Sequence, residues 1–569
     1  MCNNKSWFIR GYFPSVFGVR AVYVFLLTAF FLLFCPVGAF AAGAIPFTVN
    51  MSEAVNVDTS GGTPRIAVDV GGVTRYATYA SGTGTGTLTF HYTLQAGDVD
   101  LDGVVLSSPV DLNGGTFTDL NGNALSPLTF TLPNTSGVKI DYPSLLMDFA
   151  GSDYILSGTH YASLPAFLTA AGGTFTRASV GTYFDSSGDL QTAASGQPRF
   201  DYDPVTHVPK GILIEELRTN YVQNGQFSGI TPGVYTNLTS NHWRFGVPAV
   251  MPGSVVTVTG VGTVNGLSYI DLLYNLTTNS SGSNAYASLS MPSADQFAVV
   301  PGDDTVVSAW MGVTSYSSVG GSCAVALSNR SYTAGGVYLA ETNKSYSSVT
   351  PFALQIAAKL THGATAAKSY SSMYIRIPNG GSCDLSIRVA GYQMERGAFP
   401  TSYIPTTNGT VTRQADILTI PTGGWFNAAA GALTAQSVIP YVGGSSYPRI
   451  AEIGDGSSNN RLSLTVNDAV ADARAESIFT GGASQFGYSI GAYTAGNTLR
   501  QGLVYAPNDA IAATDGTLGS VDTSVTLPSV DKLIVGGNSS GNNNLNGTVN
   551  KLKYYPARVA GTQLQLLTQ

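Results

Sequence analysis

The chain has 569 residues, too many for a single hydrophobic core, and is therefore read as several domains. Only 11% of its residues are charged, Gly numbers 66 and Tyr 30, and long Leu/Glu/Lys/Ala stretches are nearly absent, the pattern of all-β chains built from short strands and tight turns. A net charge of −7 with no Lys/Arg cluster excludes nucleic acid as a partner.

At the N-terminus, Lys5, Arg10 and Arg20 precede the uncharged run "AVYVFLLTAFFLLFCPVGAFAAGA". Small residues at Ala39 and Ala41 fit an A-x-A cleavage site, so residues 1–41 read as a signal peptide and the mature chain begins near Ala42. The run is also long enough to span a membrane, which leaves an uncleaved anchor as the alternative. Cys35 follows the bulky Phe34, which argues against a lipoprotein. In either case the rest of the chain is expected to be secreted or held at the cell surface.

The first module runs over 42–141. In "TLTFHYTL", Leu88, Phe90, Tyr92 and Leu94 share one face of a strand and Thr89, His91 and Thr93 the other. Turn signals such as "SGG", "DLDG" and "LNGG" recur about every dozen residues, and about seven short strands in such a length imply an immunoglobulin-like sandwich. The phrases "FTVNMSEAVNVDTSGGTPRIAVDVGG", "LTFHYTLQAGDVDLDGV" and "NGGTFTDLNGNAL" also resemble the bacterial Ig-like repeats of large surface adhesins.

Residues 142–220 are less regular and read as a connector, with a short helix expected in "SLPAFLTAAGG". The phrases "TFTRASVGTYFDSSGDLQTAASGQPRFDYDP" and "KGILIEELRTNYV", together with "GAFPTSYIPTTNGTVTRQAD" over 397–416, resemble a multidomain family of phage tail and spike proteins. That resemblance implies a jelly-roll carbohydrate-binding-like module and a concanavalin A/laminin-G-like module, and places the connector with the lectin-like region as one possibility.

Residues 221–404 form the third module. "TVVSAWMGV", "CAVALS" and "CDLSIRVAGYQME" are its clearest strands, with Leu385, Ile387 and Val389 alternating with Ser386 and Arg388, and we read a jelly-roll sandwich. Cys323 and Cys383 open two of these strands in matching settings, "GGSCAVAL" and "GGSCDLSI". An even pair in an exported chain predicts a disulfide, with two buried thiols as the alternative.

The fourth module covers 405–569. "RLSLTVND" alternates Leu462, Leu464 and Val466, and the closing "DKLIVGGNSSGNNNLNGTVNKLKYYPARVAGTQLQLLTQ" resembles the last strands and terminal helical turn of laminin-G-like lectins. Between the third and fourth modules, Pro400 and Pro405 fix φ and hold their predecessors extended, while Phe399, Tyr403 and Ile404 supply apolar contacts. A rigid connection is expected there, not a catalytic loop.

No catalytic motif survives its structural requirements. "GYSIG" around Ser489 matches a nucleophile elbow, but all five histidines lie upstream and the flanks read as a strand. "DVDLDG" begins like an EF-hand, yet Pro109 stands where the bidentate Glu is required; a calcium site on some of Asp98, Asp100 and Asp102 stays open beside the reading of a solvated turn. Asp201 and Asp203 share a strand face just before Pro204, and Glu215 and Glu216 point to opposite faces. The glycine runs "GTGTGT" and "GVGTVNG" lack a βαβ context.

Binding chemistry remains. Trp310 lies in an apolar strand and reads as core, whereas Trp243 in "SNHWRFG" and Trp425 in "TGGWFN" stand beside turn residues and are the candidate sugar-stacking rings. The expectation is thus an exported, all-β, non-enzymatic adhesion or recognition protein with a glycan or surface receptor as partner and no required cofactor. The alternatives are a polysaccharide-degrading enzyme with binding modules and a structural fibre or spike subunit.

Overall fold

The computed structural model describes residues 44–352, 355–442, 447–467 and 473–569. The expected signal peptide lies outside the described residues. Among them the chain is all-β and multidomain, with two short α-helices, and no helix is long and apolar enough to cross a membrane.

The N-terminal module is a six-stranded sheet in the order Val105–Asp111, Arg65–Val70, Val73–Ser81, Thr85–Thr93, Ala44–Asp58, Thr116–Thr118. Its first strand pairs with Thr85–Thr93 through one half and with Thr116–Thr118 through the other, breaking register between Asn50 and Val55. The alternation of "TLTFHYTL" is realised: Leu88, Phe90 and Tyr92 lie in this module's core with Phe47, Ile66 and Val68.

The C-terminal sandwich is assembled from two separate stretches of chain. Leu145–Asp148 and Pro209–Ile214 both pair with Gly547–Tyr555, and Thr174–Thr176 pairs with Ile417–Pro421. A ten-stranded sheet and a seven-stranded sheet thereby face each other across one core that includes Met147, Phe167, Ile212, Ile453, Leu464 and Leu552. The connector is accordingly woven into the sandwich. Its helix, Leu164–Ala171, starts where the Ser163 hydroxyl accepts from Ala166 N and Pro165 opens the first turn, and it stops at Gly172 in the left-handed region (φ 66°).

Between these two stretches the chain leaves to build a second sandwich. A six-stranded and a seven-stranded sheet enclose a core that includes Val256, Ile270, Leu327, Ile375 and Ile387. Cys323 and Cys383 are bonded, with Cα atoms 6.6 Å apart. Cys383 lies on Ser382–Arg396 of one sheet and Cys323 immediately precedes Ala324–Tyr332 of the other, so the bridge staples the two sheets. Chain exit and return pair with each other: Arg218–Asn220 runs antiparallel to Val411–Arg413, placing Arg218 opposite Arg413. This two-stranded neck joins the inserted sandwich to the C-terminal one.

The N-terminal module docks on the C-terminal sandwich through "DVDLDG". Val99 packs into a cluster with Val504, Ile511, Tyr555 and Leu564. Leu101 N donates to Gln563 Oε1 (2.8 Å) and Gln563 Nε2 donates to Asp102 Oδ1 (2.6 Å). The reading of this segment as a solvated turn is therefore corrected: apolar Val99 and Leu101 between the carboxylates make it an interface.

Candidate functional site

Buried charge gathers at the neck. Asp416 Oδ1 accepts from Arg177 Nη1 (3.0 Å), and Asp416 Oδ2 accepts from Arg199 Nη2 and from Glu215 N (3.0 Å). Glu215 Oε2 pairs with Arg199 Nη1 (2.8 Å), and Ser402 N and Oγ donate to the same carboxylate at 2.7 and 2.6 Å. Burial alone would raise the pKa of Glu215; Arg413 and Arg199, with the Ser402 donors, overcome it and hold the carboxyl at about 2. Nearby, Glu395 accepts from Thr401 N, Thr401 Oγ1 and Gln393 Nε2, and its burial pushes its pKa up. The stretch 397–416 is the backbone of this lock. Outside its short pairing with Arg218–Asn220, this stretch carries buried N–H and C=O groups that no sheet satisfies, and side chains supply partners.

Two depressions flank Phe399. A cleft of about 350 Å³ is lined by Tyr183, Phe184, Trp310, Phe399, Tyr403 and Tyr441. Asp201, Lys210, Gln355 and Asn546 add polar groups to its wall. A wider groove of about 550 Å³ lies on the other side, where Arg218, Asp303, Asp304 and Arg396 contribute charge. The ring of Phe399 stacks on Tyr441 with centroids 3.4 Å apart and planes at 13°, and the Arg218 guanidinium lies 5.1 Å from its centroid.

Local backbone chemistry places these rings. Tyr183 and Phe184 sit on Gly181–Phe184, held in a hairpin by Leu190–Ala193. Trp310 sits on Asp304–Val319 at a break in register against Ser382–Arg396. Gly391 opposite adopts φ 54°, and a Cβ there would lie 2.5 Å from the Trp310 ring. Glycine is thus required for the indole to turn toward the seam. Trp310 is buried, as its apolar strand implied, yet it belongs to a small cluster with Leu267, Ala390 and Tyr403 and not to the main core of the inserted sandwich. An isolated Gly within the strand "RVAGYQME" was the one sequence signal for that bulge.

The two candidate stacking residues are corrected. Trp243 is 0% exposed, donates Nε1–H to Asn224 O (2.8 Å), and packs against Phe227 and Tyr392. Trp425 is 3% exposed, donates Nε1–H to Pro421 O (3.0 Å), and meets the Tyr554 ring edge-on. Turn residues stand beside each indole but do not uncover the ring.

Other candidates resolve similarly. Ser489 lies within strand Ala483–Ala492, paired to Ala473–Thr480, with no strand-to-helix elbow. Asp203 caps a turn by accepting from Val205 N and Thr206 N. Asp201 Oδ1 accepts from Phe184 N (2.9 Å), and burial raises its pKa against the pull of Lys210, whose Nζ is 3.7 Å from Oδ2. Asp98 accepts from Tyr92 Oη and Gln95 N and pairs with Arg75, while Asp100 accepts from Gly71 N and Gly103 N. The carboxylates considered for calcium thus face protein donors, and among the described residues no three His, Cys, Asp or Glu side chains form a metal-holding group.

No family model matches the chain, and no curated protein matches it. Among solved structures it is similar to the CBM40 of the Ruminococcus gnavus IT-sialidase bound to α2,3-sialyllactose, at 12% identity over 25% of this chain and 84% of that one, with a TM-score of 0.22. It is similar to domain 4 of AbnA, a GH43 extracellular arabinanase from Geobacillus stearothermophilus in complex with arabinotriose, at 12% identity over 30% and 82%, TM-score 0.22. It is also similar to the Trypanosoma rangeli sialidase in complex with the inhibitor DANA, at 12% identity over 93% and 94%, TM-score 0.22. Overlaps this loose carry no argument about what this chain does.

Proposed function

We propose that this chain is an exported, non-catalytic recognition protein that binds a saccharide in the cleft at the neck. One observation carries the reading: six aromatic residues converge there with an ammonium, two carboxyls and two amide side chains, in a concavity between the two sandwiches. Apolar sugar faces stack on rings, and the polar groups fix hydroxyl orientation. The resemblance of the N-terminal module to adhesin repeats, and of the remainder to phage tail and spike modules, supports a role in attachment to a glycan or glycosylated receptor at a cell surface. Affinity at one open site is weak, and repeated presentation on a surface supplies avidity.

A glycan array on the chain without its leader tests this, followed by titration of Tyr183→Ala, whose ring is half-buried at the cleft, and of Lys210→Ala. Loss of binding of at least about tenfold in both is expected, since each removes a stacking or charged contact. Binding that neither substitution alters would move the site elsewhere, and a blank array would remove the reading. Protein sequencing from the N-terminus of secreted material is expected to begin near Ala42.

A hydrolase reading has one observation in its favour. Asp201 and Glu215 both line the cleft, and their environments drive their pKa values in opposite directions. It is the weaker reading because both Glu215 oxygens are held by Ser402 and Arg199, which leaves no free nucleophile. Release of reducing ends from a polysaccharide, abolished by Asp201→Asn, would establish it over simple binding.

A further inference from the structure

Arg413 is the unspent member of the buried lock. Its side chain is 1% exposed, and among the described residues Nε, Nη1 and Nη2 have no hydrogen-bond partner. Its nearest acids stand off: Nη1 is 3.4 Å from Glu215 Oε2 and 3.9 Å from Asp416 Oδ2. Those carboxylates are already engaged by Arg177, Arg199, Ser402 and the Glu215 amide. A buried guanidinium stays protonated and carries five N–H donors in a fixed fork, so leaving them unmet is costly.

Arg413 also lines a cavity of about 220 Å³ with Thr182, Thr192, Gln226 and Tyr403. The Tyr403 hydroxyl is buried without a partner as well. This cavity shares only Tyr403 with the saccharide cleft, so it is a separate site and does not depend on the reading of that cleft.

We propose that this cavity binds a carboxylate, with Arg413 as the residue that recognises it. Two carboxylate oxygens match the guanidinium fork, forming the bidentate hydrogen-bonded pair that neither Glu215 at 3.4 Å nor Asp416 at 3.9 Å makes with it. Thr192 and Gln226 offer a hydroxyl and an amide for the polar remainder of the ligand. The shared chemistry is that of small organic acids and of acidic sugars.

Isothermal titration of the chain without its leader, with D-glucuronic acid, acetate and D-glucose as probes, tests the site. Saturable binding of glucuronic acid and no binding of glucose are expected. Acetate competing as well as glucuronic acid would assign the site to simple carboxylates; glucuronic acid binding at least about tenfold tighter would assign it to acidic sugars. Arg413→Lys keeps the charge and removes the fork, so a loss of at least about tenfold is expected. Val180→Trp, at an exposed residue of the cavity wall, is expected to weaken binding by obstruction and keeps the test decisive where Arg413→Lys does not fold. Absence of saturable binding by the unmodified protein, equal binding of glucose, or affinity unchanged in every folded variant would overturn the proposal. Glucuronic acid binding lost on Tyr183→Ala but kept in Val180→Trp would place the ligand in the cleft instead, and would overturn it too.

Discussion

Asp416→Asn tests whether the buried lock at the neck stabilises the C-terminal sandwich. The Asp416 side chain is fully buried and accepts from Arg177 Nη1, Arg199 Nη2 and Glu215 N. Asparagine preserves its shape, removes its charge and turns one acceptor into a donor, so a donor would then face a donor. Breaking a buried pair by removing one partner costs about 3–5 kcal/mol because the remaining charge is left uncompensated. For a domain of this size each kcal/mol moves the melting temperature by about 2–4 °C, so calorimetry is expected to show a drop of roughly 6–20 °C. Asp111→Asn is the matched control. It breaks the Arg65–Asp111 pair at 2.8 Å, whose side chains are 33% and 49% exposed. Exposed pairs contribute about 0–1 kcal/mol, so its shift is expected to be small. Equal, small shifts in the two variants would refute the idea that burial gives the neck pair its weight.

Replacing both Cys323 and Cys383 with Ala releases a loop closed over a separation of 60 residues; the chain-entropy relation gives a loss of about 4 kcal/mol in the inserted sandwich, read by denaturant unfolding. Glu215 has a folded pKa of about 2 against an ordinary 4.5, so its contribution is present above about pH 4.5 and lost as pH falls toward 2. The stability gap between the unmodified chain and Glu215→Gln, measured by urea unfolding across pH, is expected to close over that window; a gap constant from pH 7 to 2 would contradict the assignment. Trp243→Ala removes a fully buried ring and should cost about 3–5 kcal/mol while leaving glycan affinity of the folded fraction unchanged. The isolated segment 42–141 has a core of its own and is expected to melt cooperatively, which differential scanning calorimetry reads directly.

Period-two alternation was legible wherever strands were long enough to show it. Leu88, Phe90 and Tyr92 and Leu385, Ile387 and Val389 are buried as their spacing implies. The matched settings of Cys323 and Cys383 likewise announced their bond. The segment 142–220 was not legible as part of a sandwich for a physical reason. Its strands run to only three to six residues, and Leu145–Asp148 finds its partner in Gly547–Tyr555, across most of the chain. No local pattern encodes so distant a pairing. The site was obscured in a different way. Neighbouring turn residues made Trp243 and Trp425 look open, although both rings are buried and each indole N–H is spent on a backbone carbonyl. The ring that lines the cleft, Trp310, looked like core because the turn toward the seam is made by Gly391 on another strand.

An inserted domain sets a particular problem, and the arginines buried at the neck follow from it. Two chain crossings must be fixed side by side, yet beyond the short pairing of Arg218–Asn220 with Val411–Arg413 no sheet holds the connecting backbone. Apolar packing alone would leave its polar groups unmet. Arginine is suited to that position, since one guanidinium satisfies several carbonyls and carboxylates at once. Arg177 shows this directly: besides its pair with Asp416, it donates to the carbonyls of Ser179 and Ala194. Residues fixed in this way then serve as walls. Tyr403, Thr401 and Ser402 are held by the lock and line the cleft, and Arg413 lines the cavity beside it. A recognition site on such a scaffold starts preorganised, so a ligand pays little to order it. The neck therefore joins the two sandwiches and also provides the rigid concave surfaces that a binding site requires.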